Sequence, residues 1–215
     1  MSIKFSCRAL LLLLTIAYFS PSYADTQFEK DIESAREVYL KATDGNKRAV
    51  RKAIKKIHKL ERKYRNHPLV LAYKGGALSL RGINIGKRPL DRMRETEEGL
   101  NVIDRALRKL ARHKGPYLEA VEAKLVAAYV FINLPNSYFH RLKEGNHLVG
   151  QLLAHPQFKD MPQGLQAAIY FAAALGAEKV NNQEQFKHYL ELTIKTDPDG
   201  KNSKEAKALL QGIAG

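Results

Sequence analysis

Cysteine is almost absent from this 215-residue chain, which has one cysteine, Cys7, and no tryptophan. Cys7 lies in an amino-terminal segment that we expect to be cleaved off, so the mature chain would contain no thiol. A chain without thiols forms no disulfide, even in a compartment that permits one, and it has no cysteine nucleophile. The fold must therefore depend on packing alone.

Common catalytic motifs are absent as well. The sequence has no Gly-x-Ser-x-Gly motif and no glycine-rich phosphate loop. Its histidines show no spacing typical of zinc ligands, so we expect no metal site and no cofactor. They are His58, His67, His113, His140, His147, His155 and His188. Acidic residues at 91, 95, 97 and 98 alternate with arginines, which is ordinary helix support. These absences favour a protein that is not an enzyme.

The first 24 residues have the pattern of a secretory signal peptide. Basic residues precede an apolar run over residues 9–17, and small residues at 22 and 24 suit cleavage before Asp25. The run is shorter than the about 20 residues that a membrane-spanning helix needs. Cys7 precedes this run instead of following it, so we do not expect a lipoprotein. We predict an exported, periplasmic protein in which residues 25–215 form a single domain.

Positive charge dominates the chain, which has a formal net charge of +14. The first 24 residues contain two basic residues and no acid, so the mature chain keeps a charge of +12. Such a charge favours anionic partners, such as lipid head groups, lipopolysaccharide or an acidic protein surface. Nucleic acid is the usual partner of a basic chain, but the predicted export argues against it.

Apolar residues recur at helical spacing throughout, and no segment alternates as a strand does. Glycine, proline and asparagine mark the breaks between segments. The expected helices cover residues 28–43, 46–65, 68–80, 89–110, 117–133, 136–153, 164–180, 183–196 and 204–213. We expect a loop over residues 81–89 and a helix cap at Ser203. Short turns between helices predict antiparallel pairs of roughly 35–45 residues, the size of helical repeats. The expected fold class is all-α.

Residues 167–200 carry the features of one repeat. Its aromatic, small, turn and large residues occur in the order found in one type of helical repeat. Phe186 is an exception, because it occupies a position that usually holds alanine. The matching residues are Tyr170, Ala173, Ala174, Ala177, Asn181, Leu190, Thr193 and Pro198. This segment resembles a tetratricopeptide repeat, a helix pair with a 34-residue period, and residues 203–213 resemble its capping helix. Residues 71–82, 89–94 and 97–100 resemble exported bacterial proteins of this type. The resemblance implies helix pairs stacked as a short right-handed superhelix.

The strongest charge feature is the expected second helix, which has one acid, Glu61, over residues 47–65. Apolar residues form one of its faces and basic residues cover the rest. The candidate binding residues on this basic face are Arg48, Arg51, Lys52, Lys55, Lys56, Lys59 and Arg62. The face is either a solvated surface or a docking site for an anionic partner.

A second set of candidate residues depends on the repeat architecture, in which the first helix of each pair lines a concave groove. Polar and aromatic residues there would hold a partner segment. The candidates are Tyr73, Lys74, Arg81, Asn133, Tyr138 and Arg141. We therefore expect a non-catalytic adaptor that binds a cell-envelope protein. The alternatives are a peripheral binder of anionic lipid or lipopolysaccharide through residues 47–65, and a helical enzyme acting on the cell wall, whose paired carboxylates the fold would set.

Overall fold

The computed structural model describes residues 23–43, 45–85 and 88–214, and it confirms the all-α prediction: these residues form helices and no strand. The first five are α1 (Tyr23–Thr43), α2 (Lys47–Lys63), α3 (Pro68–Ile85), α4 (Pro89–Leu110) and α5 (Tyr117–Asn133). The others are α6 (Asn136–Phe139), α7 (Leu142–Leu153), α8 (Gln163–Lys179), α9 (Gln183–Thr196) and α10 (Lys201–Ala214). A 3-10 turn, Phe158–Asp160, lies between α7 and α8.

Local sequence explains where several helices begin. The Asn46 side chain accepts hydrogen bonds from the backbone N–H groups of Arg48 and Ala49, at 2.9 and 3.1 Å, and so caps α2. Asn182 caps α9 in the same way, through the N–H of Gln185 at 3.1 Å. Proline opens α3 and α4, where its missing N–H is not needed for a helical hydrogen bond.

The helices pack in sequence as pairs. Contacts join α1 to α2, α3 to α4, α5 to α7 and α8 to α9. The first members of these pairs also contact one another in succession, from α1 through α3, α5 and α8 to α10. Three apolar clusters lie along this series, the first mainly on α1 to α3, the second mainly on α5, α7 and α8, and the third on α8 to α10. Each pair thus buries its apolar face against its neighbours.

Helices α3 and α4 approach most closely, because glycines meet at their contact. A Cβ atom on Gly75 would lie 2.6 Å from the carbonyl oxygen of Gly99, and one on Gly99 would lie 2.6 Å from that of Gly75. A Cβ on Gly82 would lie 2.8 Å from the carbonyl oxygen of Arg92. No side chain fits at these three positions without moving a backbone.

Two expected breaks lie elsewhere than predicted. The loop predicted for residues 81–89 is wrong at its start, since α3 continues to Ile85. Gly82 serves the contact with α4 and does not form a turn, and the Asn84 side chain donates to the carbonyl of Leu80, at 2.9 Å, within the helix. Ser203 does not cap a helix either. It is buried inside α10, and its hydroxyl donates to the Thr193 carbonyl at 3.0 Å.

The expected single helix over residues 136–153 is in fact two. His140 takes a left-handed backbone conformation, with φ of 53°, and separates α6 from α7. This region costs an L-residue with a bulky side chain about 1–2 kcal/mol. The His140 side chain is exposed, and no hydrogen bond or ion pair holds it among the described residues.

Replacing His140 with glycine should therefore stabilise the protein. We expect the free energy of unfolding to rise by about 0.5–1 kcal/mol, because glycine adopts positive φ without steric cost. Urea denaturation followed by circular dichroism measures the change. His140→Ala is the matched control, since it removes the imidazole and keeps the Cβ. If alanine stabilises the protein as much as glycine does, backbone strain is not the cause.

The predicted signal peptide lies mostly outside the described residues, which begin at Tyr23. Cleavage before Asp25 would leave α1 starting from its third residue. Among the described helices, none combines the length and the hydrophobicity that crossing a bilayer demands.

Candidate functional site

The basic face of α2 consists of the seven candidate residues Arg48, Arg51, Lys52, Lys55, Lys56, Lys59 and Arg62. All are exposed except Lys56, which is partly buried. In the described part of the chain, no carboxylate forms an ion pair with any of them. The opposite side of α2 is buried in the core through Val50, Ala53, Ile57 and Leu60. Packing against the core therefore fixes the apolar side of α2, and its basic side faces solvent.

Acidic residues near α2 are already engaged at the edges of this face. Glu61 accepts from Lys74 of α3 at 2.8 Å. Asp31 of α1 accepts from Lys63 at 2.7 Å and from the Tyr64 hydroxyl at 3.0 Å. The hydrogen bond from Lys63 is the largest cause of a lowered pKa at Asp31, against the opposing effect of burial. These pairs leave the seven residues without local neutralisation. Each pair of like charges four residues apart destabilises a helix by about 0.2–0.5 kcal/mol.

The candidate groove residues on α3 have partners inside the protein. Tyr73 is buried, with 2% of its surface exposed, so it belongs to the core and does not line a groove. Lys74 is committed to Glu61, as described above. Arg81 donates to Glu95 at 3.2 Å and to Glu98 at 3.1 Å, which joins α3 to α4.

The other three groove candidates lie around α6. Asn133 donates to the carbonyl of Tyr129 within its own helix, at 2.8 Å. Arg141 pairs with Asp104 and Glu144 and lies over the ring of Phe131, at 4.0 Å from its centroid.

Tyr138 is the candidate near α6 that remains open to a partner, with 67% of its surface exposed. An open depression of about 330 Å³ lies at this junction. Its lining residues are Asn136, His140, Leu142, Lys143, Asn146 and Val180. In the described part of the chain, no hydrogen bond or ion pair joins these candidates to those on α3. Tyr73 is buried, and Lys74, Arg81 and Arg141 are paired inside the protein, so these four candidates are already engaged.

A cluster that the sequence did not suggest lies where α3 and α5 begin. His67 precedes α3, His113 lies between α4 and α5, and Glu119 is in the first turn of α5. One carboxylate oxygen, Oε2 of Glu119, lies 2.7 Å from Nε2 of His113 and 3.3 Å from Nε2 of His67. One potential ligand atom of each residue lies within 4.8 Å of the others. Two imidazoles thus converge on one carboxylate.

The cluster packs against an aromatic ring and is partly accessible to solvent. The ring centroid of Phe28 lies 4.3 Å from that of His67, and the two histidine rings meet edge to face at 4.9 Å. The side chains of His67, His113 and Glu119 are 20%, 15% and 9% exposed. Nδ1 of His67 is buried and has no hydrogen-bond partner among the described residues.

The ionisation of Glu119 reflects two opposing effects. Burial is the largest and acts to raise its pKa, whereas the hydrogen bonds from His67 and His113 and their charges act to lower it. The combined effect of the two histidines prevails, so the pKa of Glu119 is below its usual value.

A second, partly buried carboxylate lies one turn further along α5. Glu122 accepts two hydrogen bonds from the Arg36 guanidinium, at 2.6 and 2.7 Å, and one from the Tyr73 hydroxyl. Burial, and next the charge of Glu122, raise the pKa of Tyr73 well above its ordinary value. These contacts join α1, α3 and α5 beside the histidine cluster.

Sequence spacing gave no sign of the histidine–glutamate cluster. His113 and Glu119 are six residues apart across the turn at Gly115 and Pro116, and His67 lies 46 residues earlier. Only the packing of α3 on α5 brings the three together. A Cβ on Gly115 would lie 2.7 Å from Oε2 of Glu119 and would also strike the His113 ring, so glycine keeps this space open.

Comparison of the chain with protein-family models, curated proteins and solved structures yields no match.

Proposed function

We propose that this chain is an exported, non-catalytic interaction module that docks on an acidic surface of a cell-envelope protein through the basic face of α2. The observation that supports this proposal is the set of seven basic side chains on α2, six of them exposed and Lys56 partly buried, with no acid paired to them among the described residues. Repulsion among these like charges destabilises the helix, and binding to an acidic partner would relieve it. In this proposal the helix pairs form a right-handed superhelix like that of tetratricopeptide repeats, and the module acts in the periplasm.

The packing of the helices supports the repeat architecture. Both helices of each pair contact the first helix of the next pair, and α10 packs in the same way on both helices of the last pair. Repeat proteins of this kind present extended binding surfaces, and their terminal helices shield the core. This pattern of contacts between pairs agrees with the resemblance of residues 167–200 to a tetratricopeptide repeat.

A protein partner agrees better with α2 than insertion into a membrane does. Helices that bind at a lipid interface place apolar residues into the acyl boundary. In α2 the apolar residues point into the core, where Val50, Ala53 and Ile57 are no more than 1% exposed. Only the charged side is available. We therefore favour an acidic protein surface, and binding to anionic lipid is an alternative outcome of the test.

The test is cross-linking in the native cell envelope with a tagged copy, followed by mass spectrometry. We expect one dominant envelope protein, and we expect its yield to fall by about tenfold or more when Lys52, Lys55, Lys56 and Lys59 become glutamate, which corresponds to about 1.4 kcal/mol. A matched control reverses four exposed lysines elsewhere. These are Lys143, Lys187, Lys195 and Lys204.

The control separates a docking site from a general effect of charge, because both variants change the net charge equally. Equal losses in the two variants would show that only net charge matters. Capture of a partner that survives reversal of the α2 face would contradict the proposal. Binding only to vesicles of anionic lipid, lost in the α2 variant, would replace the protein partner with a membrane surface.

A further inference from the structure

We propose that His67, His113 and Glu119 form a binding site for a divalent metal ion of the zinc class. No part of the docking proposal uses these residues, and the two proposals are independent.

The geometry suits a small tetrahedral ion. Zinc lies about 2.0–2.2 Å from nitrogen and oxygen ligands, so two ligands of a tetrahedral site are about 3.3 Å apart. Nε2 of His67 and Oε2 of Glu119 are already separated by 3.3 Å. Nε2 of His113 lies closer to that oxygen, at 2.7 Å, and needs only a small outward movement to share an ion with it.

The ligand types narrow the choice of ion. Two imidazoles and one carboxylate are ligands of zinc and other first-row transition metals. Calcium and magnesium are bound by sets of oxygen atoms, which this cluster does not offer. Three protein ligands leave a fourth coordination position, and the partial exposure of both histidines gives an ion access to it. The site would therefore accept an additional ligand, such as water or a group from a partner.

Hydrogen bonding alone does not account for the second histidine. His113 already provides a close donor to Glu119, at 2.7 Å. His67 adds a longer contact and buries Nδ1 with no partner among the described residues. The 3.3 Å contact from Nε2 of His67 is long for a hydrogen bond, which usually spans about 2.7–3.2 Å, and it equals the separation of two ligands on one zinc ion. Coordination of an ion by Nε2 of both rings accounts for this spacing.

Binding of the ion should also stabilise the fold. The three ligands come from the start of α3, the turn after α4 and the start of α5. These segments are separated in the unfolded chain, so the complete site exists only in the folded protein. An ion that binds only this state shifts the unfolding equilibrium towards the folded protein.

The experiment is titration of the metal-free full chain, purified without a polyhistidine tag, with Zn²⁺ in an isothermal calorimeter. Thermal unfolding with and without Zn²⁺ provides the second readout. We expect one equivalent to bind and the unfolding temperature to rise. Glu119→Gln and His113→Ala should each weaken binding by about a hundredfold or more, since even changes behind the ligands cost about 10–100-fold. His188→Ala, at an exposed histidine of α9, is the control and should bind as the parent does.

Gly115→Ala gives a variant with all three ligands intact. Its added Cβ would occupy the space beside His113 and Glu119, so we expect weak binding with circular dichroism like that of the parent. Zn²⁺ binding by the protein without substitutions tests the proposal even if a variant fails to fold. Failure of that protein to bind Zn²⁺, or equal loss of binding in His188→Ala and Glu119→Gln, would overturn the proposal.

Discussion

Replacing Gly99 with alanine is expected to lower the free energy of unfolding by about 3 kcal/mol. Overpacking usually costs about 1–3 kcal/mol, and it costs most where nothing can yield. At Gly99 the new Cβ would lie 2.6 Å from the carbonyl oxygen of Gly75 and 2.6 Å from the backbone nitrogen of Ser79. Both atoms belong to the backbone of α3 and cannot rotate away.

The whole contact between α3 and α4 would have to open to admit this methyl group. Gly75 and Gly82 allow the same close approach on the other helix, and the Thr96 hydroxyl donates to its own helix at the Arg92 carbonyl, at 2.8 Å. Separating the helices would also loosen Ile103, which is fully buried beside Gly75. Urea denaturation followed by circular dichroism gives the change directly.

Gly150 of α7 offers the matched control for this substitution. It also lies inside a helix, but a Cβ there meets nothing within 4 Å. Alanine favours the helix over glycine by about 0.5–1 kcal/mol, so Gly150→Ala should stabilise the protein slightly. If Gly99→Ala is also neutral or stabilising, the two helices are not in backbone contact at this point.

Helices were predictable from the sequence because their signals are local. Apolar spacing together with Pro68, Pro89 and Asn46 placed α2 and the starts of α3 and α4 within about two residues, since capping depends on a few neighbouring groups. The misplaced break at Gly82 has a physical reason. A glycine that ends a helix and a glycine that admits a second helix look the same in one sequence, and only the packing distinguishes them.

The basic face was likewise predictable, because the residues of one helix face repeat every three or four positions. The histidine–glutamate cluster was not, since its members lie on different elements and depend on how α3 packs on α5. Tyr73 shows the same limit. Its hydroxyl suggested that it lines a groove. The structure instead buries Tyr73, and the acceptor that satisfies its hydroxyl, Glu122, lies 49 residues away in the sequence.

The buried network around Glu122 leads to the second large effect. Replacing Glu122 with alanine should lower the free energy of unfolding by about 2–4 kcal/mol, because it leaves the Arg36 guanidinium and the Tyr73 hydroxyl without their acceptor. Removing one partner of a buried ion pair costs about 3–5 kcal/mol. The value expected here reaches below that range, since the side chains of Arg36 and Glu122 are 28% and 15% exposed and Arg36 also pairs with Glu33.

Glu33→Ala is the control for this prediction, because it removes the other carboxylate from the same arginine. Glu33 is 57% exposed, and exposed pairs contribute only about 0–1 kcal/mol, so we expect little change. Tyr73→Phe should cost about 1 kcal/mol, the value of one hydrogen bond. Chemical denaturation measures the three changes, and we expect the loss of stability to decrease from Glu122→Ala through Tyr73→Phe to Glu33→Ala. An equal effect at Glu122 and Glu33 would mean that solvent replaces the buried acceptor and that apolar packing alone holds α1 and α3 to α5.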